Sequence, residues 1–178
     1  MTASEDLVGA VCASLATLAE HVHLLNAEAY RESVPELAGA SIGQHIRHCL
    51  DHYVTLANGL KDARFDFDYD DRERASDIEC DRDCAVALAR ELLLELRPLL
   101  ASADLTMTVH VRTASSSRGK VAWQSSSLGR ELQFVVSHTT HHAAMVATSC
   151  RVRDLPVAPE HGVAPSTLRH RAAVSARG

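Results

Sequence analysis

Apolar residues recur at helical spacing over segments long enough to cross a whole domain, and this pattern constrains the chain more than any other. From Glu5 to Ala29, the set Leu7, Val8, Val11, Leu15, Leu18, Val22 and Leu25 shares one helical face. Ser4 is placed to cap this segment, and Pro35 and Gly39 mark the loop beyond it. Ser41-Ile42-Gly43-Gln44 then reads as a capping box: the serine hydroxyl takes an orphan backbone N–H and the glutamine reaches back. Behind it, Ile42, Ile46, Cys49, Tyr53, Leu56 and Leu60 form one stripe, which Gly59 weakens near its end. About 18 residues rising ~1.5 Å each make a helix of about 27 Å, enough to line a bundle. A third helix is predicted from its cap, Asp81, to about Leu100. Ala85, Leu88, Leu92, Leu96 and Leu99 lie on one face, and Pro98 kinks or terminates it. A fourth begins after Ser125-Ser126-Ser127 and runs to about Cys150. Aromatic residues are only 4% of the 178, so the core is mainly Leu, Val, Ile and Ala, a composition that favours helices over a β-sandwich.

Two stretches depart from the helical period. Phe65 to Arg74 alternates aromatic and acidic residues and predicts an extended crossing segment. Its Asp-x-Asp-x-Asp run is not an EF-hand loop, because the positions that need Gly and Glu hold Asp71 and Asp77. Leu105 to Arg112 alternates with period two. With a turn at Ser115–Gly119 and a return over Lys120–Gln124, it predicts a small β-hairpin between helices three and four. After Cys150, four loop-forming residues (Pro156, Pro159, Gly162, Pro165) predict an irregular tail, frayed from Ala172. The division expected is therefore a helical bundle over 1–155 and a tail over 156–178.

The net charge of −5 repels phosphate backbones and anionic lipid, which argues against a nucleic-acid or membrane-surface partner. The acidic start, Met1-Thr2-Ala3-Ser4-Glu5-Asp6, does not resemble a signal peptide, and no uncharged apolar run reaches about 18 residues. Five cysteines at irregular spacing suit a reducing compartment, so a cytoplasmic location is expected. Cys80-x-x-x-Cys84 has no neighbouring Cys or His that would complete a structural zinc site.

Histidine is the unusual residue, with eleven copies. His45, His48 and His52 fall within about 60° of one another at ~100° per residue, beside the apolar stripe of the second helix. On the fourth helix, His138 and His142 are one turn apart and share a face with Val135, Met145 and Val146; His141 lies at its edge. Imidazoles four residues apart can reach one metal ion. Inward imidazoles are costly unless each nitrogen finds a partner, which a metal supplies directly and which side chains or water supply otherwise. The spacing leaves open which member of the second-helix stripe joins such a site. His45 and His52 lie nearer the apolar centre than His48.

Ser41-Ile42-Gly43-Gln44-His45-Ile46-Arg47-His48-Cys49-Leu50 resembles the second-helix signature of the DinB-like four-helix proteins, and the resemblance covers roughly residues 5–150. It implies an all-α, antiparallel four-helix bundle with a long crossover, often a homodimer. It also implies a divalent-metal site whose ligands are His48, seven residues after the capping serine, and the His-x-x-x-His pair His138 and His142. Zinc or nickel is the expected ion, with iron or manganese as alternatives. Some relatives are S-transferases that use a low-molecular-weight thiol such as bacillithiol, mycothiol or glutathione. The related sulfoxide synthases carry a Glu where this chain has Ala144, and that subfamily is not expected.

Three neutral imidazoles leave a divalent ion with an open position, as in catalytic rather than structural sites. Such an ion acidifies bound water or holds a thiolate. Asp51 and Glu131 are candidate acceptors for the ligands' outer N–H groups, Glu131 lying about 20° from His138 two turns earlier. His52 is a candidate proton shuttle. Arg130-Glu131 and Arg72-Glu73-Arg74 are candidates for a pocket mouth that takes a carboxylate. The function expected is a metal-dependent enzyme, a thiol S-transferase or hydrolase acting on a small molecule, with His52 and Glu131 in catalytic roles. The alternative is a bundle that binds a metal or small ligand without catalysis.

Overall fold

The computed structural model describes residues 3–62, 64–71, 77–113 and 121–176. Helix α1 spans Ala3–Leu24 and is followed by the short α2, Ala27–Arg31. One helix to Ala29 was expected; the chain breaks at Asn26, whose Oδ1 accepts the Ala29 N–H at 2.8 Å and starts a new helix. The apolar stripe hides this break, because Leu25 is fully buried on either reading. Helix α3, Ile42–Lys61, opens with the capping box as predicted: Gln44 N–H donates to Ser41 Oγ at 3.1 Å and Ser41 N–H to Gln44 Oε1 at 3.0 Å. Helix α4, Arg82–Ala101, is capped by Asp81 and ends one turn past Pro98. Helix α5, Leu128–Val152, is capped by Ser127.

These four long helices form a four-helix bundle in which α1 and α3 each pack on both α4 and α5. Arg47 reaches Glu79, just before α4, and Lys61 reaches Glu95, so α3 and α4 run parallel. The long crossover between them makes that possible, because it returns the chain to its starting end. Within it, β1 (Asp66–Asp68) buries Phe67 and exposes Asp66, and Tyr69 just after it is buried too; the segment is extended, as the alternation predicts. Strand β1 pairs in parallel with β2 (Thr108–Arg112), and β2 pairs antiparallel with β3 (Gln124–Ser127). The predicted hairpin is thus two strands of a three-stranded sheet. Its return strand lies a few residues later than expected and runs straight into α5. The expected turn at Ser115–Gly119 and the mouth residues Arg72-Glu73-Arg74 lie outside the described residues.

Two glycines let the crossover lie flat on α3. A Cβ on Gly43 would overlap the Glu79 carbonyl oxygen, and one on Gly59 would overlap the Phe67 ring. Gly59 is therefore a contact point rather than a weak helix end. Tyr30 adds a fixing bond, its hydroxyl donating to the Ile78 carbonyl at 2.8 Å.

The last segment corrects an expectation. Residues 156–178 contain a helix, α6 (Pro165–Ser175), with no buried residue. Before it, Gly162 (φ 75°) presses on the backbone of Ala143 and Ala144, and His161 stacks on His21 at 3.9 Å inside the protein. The stretch Glu5–Leu24 is by length and composition able to cross a membrane. Here its residues Val11, Leu15, Leu18 and Val22 belong to the bundle core.

Substituting Gly43→Ala should lower unfolding free energy by about 1–3 kcal/mol, the usual range for forced overpacking. Urea denaturation checks this, and an unchanged midpoint would show that the crossover does not rest on α3 as described.

Candidate metal centre

Helices α3 and α5 cross antiparallel, so that His48 faces His138 and His45 faces His142. His48 Nε2 and His138 Nε2 are 3.0 Å apart. Ring centroids are 4.8 Å apart for His48 and His142 and 4.5 Å for His138 and His142. One nitrogen from each of the three lies within 4.8 Å of the others, and all three side chains are half-buried. Among the described residues this is the group whose spacing fits a shared ion. The donor set also fits: three imidazoles are the borderline ligands that zinc and nickel accept.

The structure brings His48 into this group rather than His45 or His52, the two that lie nearer the apolar centre. That centre is filled by Ile46, Cys49 and Tyr53, all buried in the bundle core. The triad instead forms at the rim of the α3–α5 seam. His45 meets His142 Nδ1 to Nδ1 at 2.8 Å. His52 is buried and bonds through Nδ1 to the His48 carbonyl at 2.8 Å. A carbonyl only accepts, so Nδ1 carries the proton and Nε2 of the neutral ring keeps its lone pair.

The other predicted residues are placed as follows. Glu131 is buried, and its carboxylate accepts from the Ser126 hydroxyl at 2.6 Å and the Tyr69 hydroxyl at 3.1 Å. Asp51 pairs with Arg47 at 2.5 Å, and Arg47 also reaches Glu79. Arg130 is exposed. Cys49 packs in the core, where burial pushes its thiol up to about 12.

Two aromatic side chains that sequence reasoning missed wall the site. Tyr69, brought in by the crossover, stacks on His52 at 5.0 Å, and Phe134 stacks on His138 at 5.6 Å. Phe134 precedes His138 by one helical turn, a spacing that could have identified it. Nothing local could have identified Tyr69.

Burial, reinforced by repulsion from His138, His45 and His141, pushes His142 down to about 3. Burial likewise pushes His21 down to about 4 and His161 to about 3. In the unfolded chain these groups titrate near about 6.5. Between that value and the folded ones the unfolded chain binds more protons, so stability falls as pH drops. Metal-free protein should therefore lose stability progressively below about pH 6.5 and level off near pH 3. Urea midpoints at pH 7.5, 6 and 5 in chelator check this, and a flat profile would contradict neutral, buried imidazoles.

Comparison with known proteins places this architecture. No curated protein matches the chain. The chain is similar in structure to YfiT from Bacillus subtilis, described as "a probable metal-dependent hydrolase with an unusual four-helix bundle topology". The TM-score is 0.66 and the identity 15%, over 88% of this chain and 91% of that one. At that identity the likeness speaks for the fold. A family model described as the DinB superfamily matches residues 13–146, which hold all three clustered histidines and the four long helices over most of their length. The chain belongs to the DinB superfamily.

Proposed function

We propose that this chain is a metal-dependent enzyme that activates water or a thiol against a small electrophilic substrate, with His48, His138 and His142 as ligands. The observation that carries the proposal is the convergence of three imidazoles from two helices on one point. The description of YfiT as a hydrolase supports the water-using form. The resemblance to the DinB-like proteins, some of which are thiol-dependent S-transferases, supports the other form, and both would use the same open position. Zinc or nickel suits three neutral nitrogens best.

A divalent ion held there would act as a Lewis acid, bringing the pKa of water or a thiol towards neutrality. The protein's own part is to manage the proton. The His52 ring lies 4.2 Å from that of His138, and with Nδ1 donating to the His48 carbonyl the basic nitrogen of the neutral ring is Nε2. His52 is thus the acceptor for the proton that the nucleophile releases. Tyr69 stacks on His52 and is itself held by buried Glu131, so Glu131 keeps the base in place. Glu131 is a positioning residue in this scheme. The walls supplied by Tyr69 and Phe134 exclude water from one side.

Protein purified without a histidine tag and reconstituted with zinc, nickel, manganese or iron should hold about one ion per chain. His138→Ala should abolish that occupancy. Sub-stoichiometric metal in the native protein would end the proposal. Turnover is read by hydrolysis of activated esters and amides, and by transfer from several low-molecular-weight thiols to electrophiles. His52→Gln should lower kcat by about 100-fold or more at unchanged metal content. Full activity in that variant would remove His52 from the mechanism. A metal-loaded protein inactive in every assay would favour the non-catalytic binding bundle.

A further inference from the structure

His45 is not in the metal triad, yet its Nδ1 sits 2.8 Å from Nδ1 of His142. Two nitrogens at that distance share one proton: one donates and the other accepts. The choice is not free once His142 is a ligand. If His45 donated, His142 would spend its Nδ1 lone pair accepting, and its own proton would stand on Nε2. Neither nitrogen could then bind an ion. If His142 donates from Nδ1, its Nε2 lone pair is left for the ion, matching the Nε2 atoms that His48 and His138 turn towards each other.

We propose that His45 positions the ligand His142, accepting its Nδ1–H and so fixing the tautomer and ring orientation that present Nε2 to the metal. The inference rests on the three-histidine reading above. It accounts for a second observation: Nε2 of His45 is a buried atom without a hydrogen-bond partner among the described residues. A neutral His45 that accepts at Nδ1 must carry its proton on Nε2, so the unpartnered group is a donor. Leaving a buried N–H unsatisfied disfavours the fold.

The acceptor is also neutral. Ligand histidines commonly donate to carboxylates, which raise ligand basicity and soften the ion's charge. An imidazole acceptor polarises His142 less, so an ion held there would stay more electrophilic and would favour an anionic fourth ligand such as a thiolate or carboxylate.

The test measures zinc affinity by chelator competition in wild type, His45→Ala and His45→Asn, with each fold checked by circular dichroism. Asn places an acceptor oxygen close to where His45 Nδ1 lies. His45→Ala should weaken zinc binding about 10–100-fold, and His45→Asn should restore most of it. In parallel, 15N spectra of the zinc-loaded imidazoles should show His142 protonated at Nδ1, with that proton exchanging faster in His45→Ala. Unchanged affinity in His45→Ala would overturn the inference. So would an Asn variant as weak as Ala, which would mean that ring packing matters rather than the accepted proton. Wild type that binds no zinc would overturn the metal reading itself, a separate result.

Discussion

The seam between α3 and α5 is the constraint on which the site depends. Three side-chain contacts set its register: His45 with His142, His48 with His138, and Thr139, whose hydroxyl donates to the Tyr53 oxygen at 3.2 Å. Each residue step along a helix turns a side chain by about 100°, so a slip of one position would carry every imidazole off the shared point. The register is held from the apolar side. Ile42, Ile46, Cys49, Leu50, Tyr53 and Leu56 on α3 are buried, as are Leu132, Val135 and Val146 on α5. Nonpolar packing sets the distance, and the imidazoles occupy the rim it leaves.

The crossover serves the same seam from outside. It lies against α3 through the glycine contacts at positions 43 and 59, and delivers Tyr69 onto His52. Tyr69 then donates to Glu131 of α5, which also accepts from Ser126 of β3, so the sheet, the crossover and the bundle meet beside the histidines. A buried carboxylate with two hydroxyl donors and a fully packed tyrosine is a rigid support. The long connection thereby becomes part of the site's outer wall, which explains why a helical protein carries a small sheet there.

Much of this was legible in the sequence, and the limits have physical causes. The Ser41 capping box, the Asp81 cap and the apolar stripes are local, and local signals place α3, α4 and α5 to within a few residues. The break at Asn26 was invisible because Leu25 keeps the helical period across it. The pairing that makes the extended crossing segment a strand of the sheet was invisible because it joins Asp66 with His110, far apart in sequence. Helix α6 was hidden by the prolines that precede and open it and by an exposed surface without an apolar stripe. At the site, the histidine spacing identified both helices. The helical wheel could not rank His48 above its neighbours, because the triad lies at the rim rather than at the apolar centre. Only the likeness to the family singled out His48.

The central claim is that His48, His138 and His142 converge to hold one divalent ion. An anomalous-difference map from crystals of the zinc-loaded protein, collected at the zinc edge, tests it most directly. The account predicts one strong peak about 2.0–2.1 Å from a nitrogen of each of the three, with His45 hydrogen-bonded behind His142. A peak ligated by other side chains, or none at these three, would contradict it.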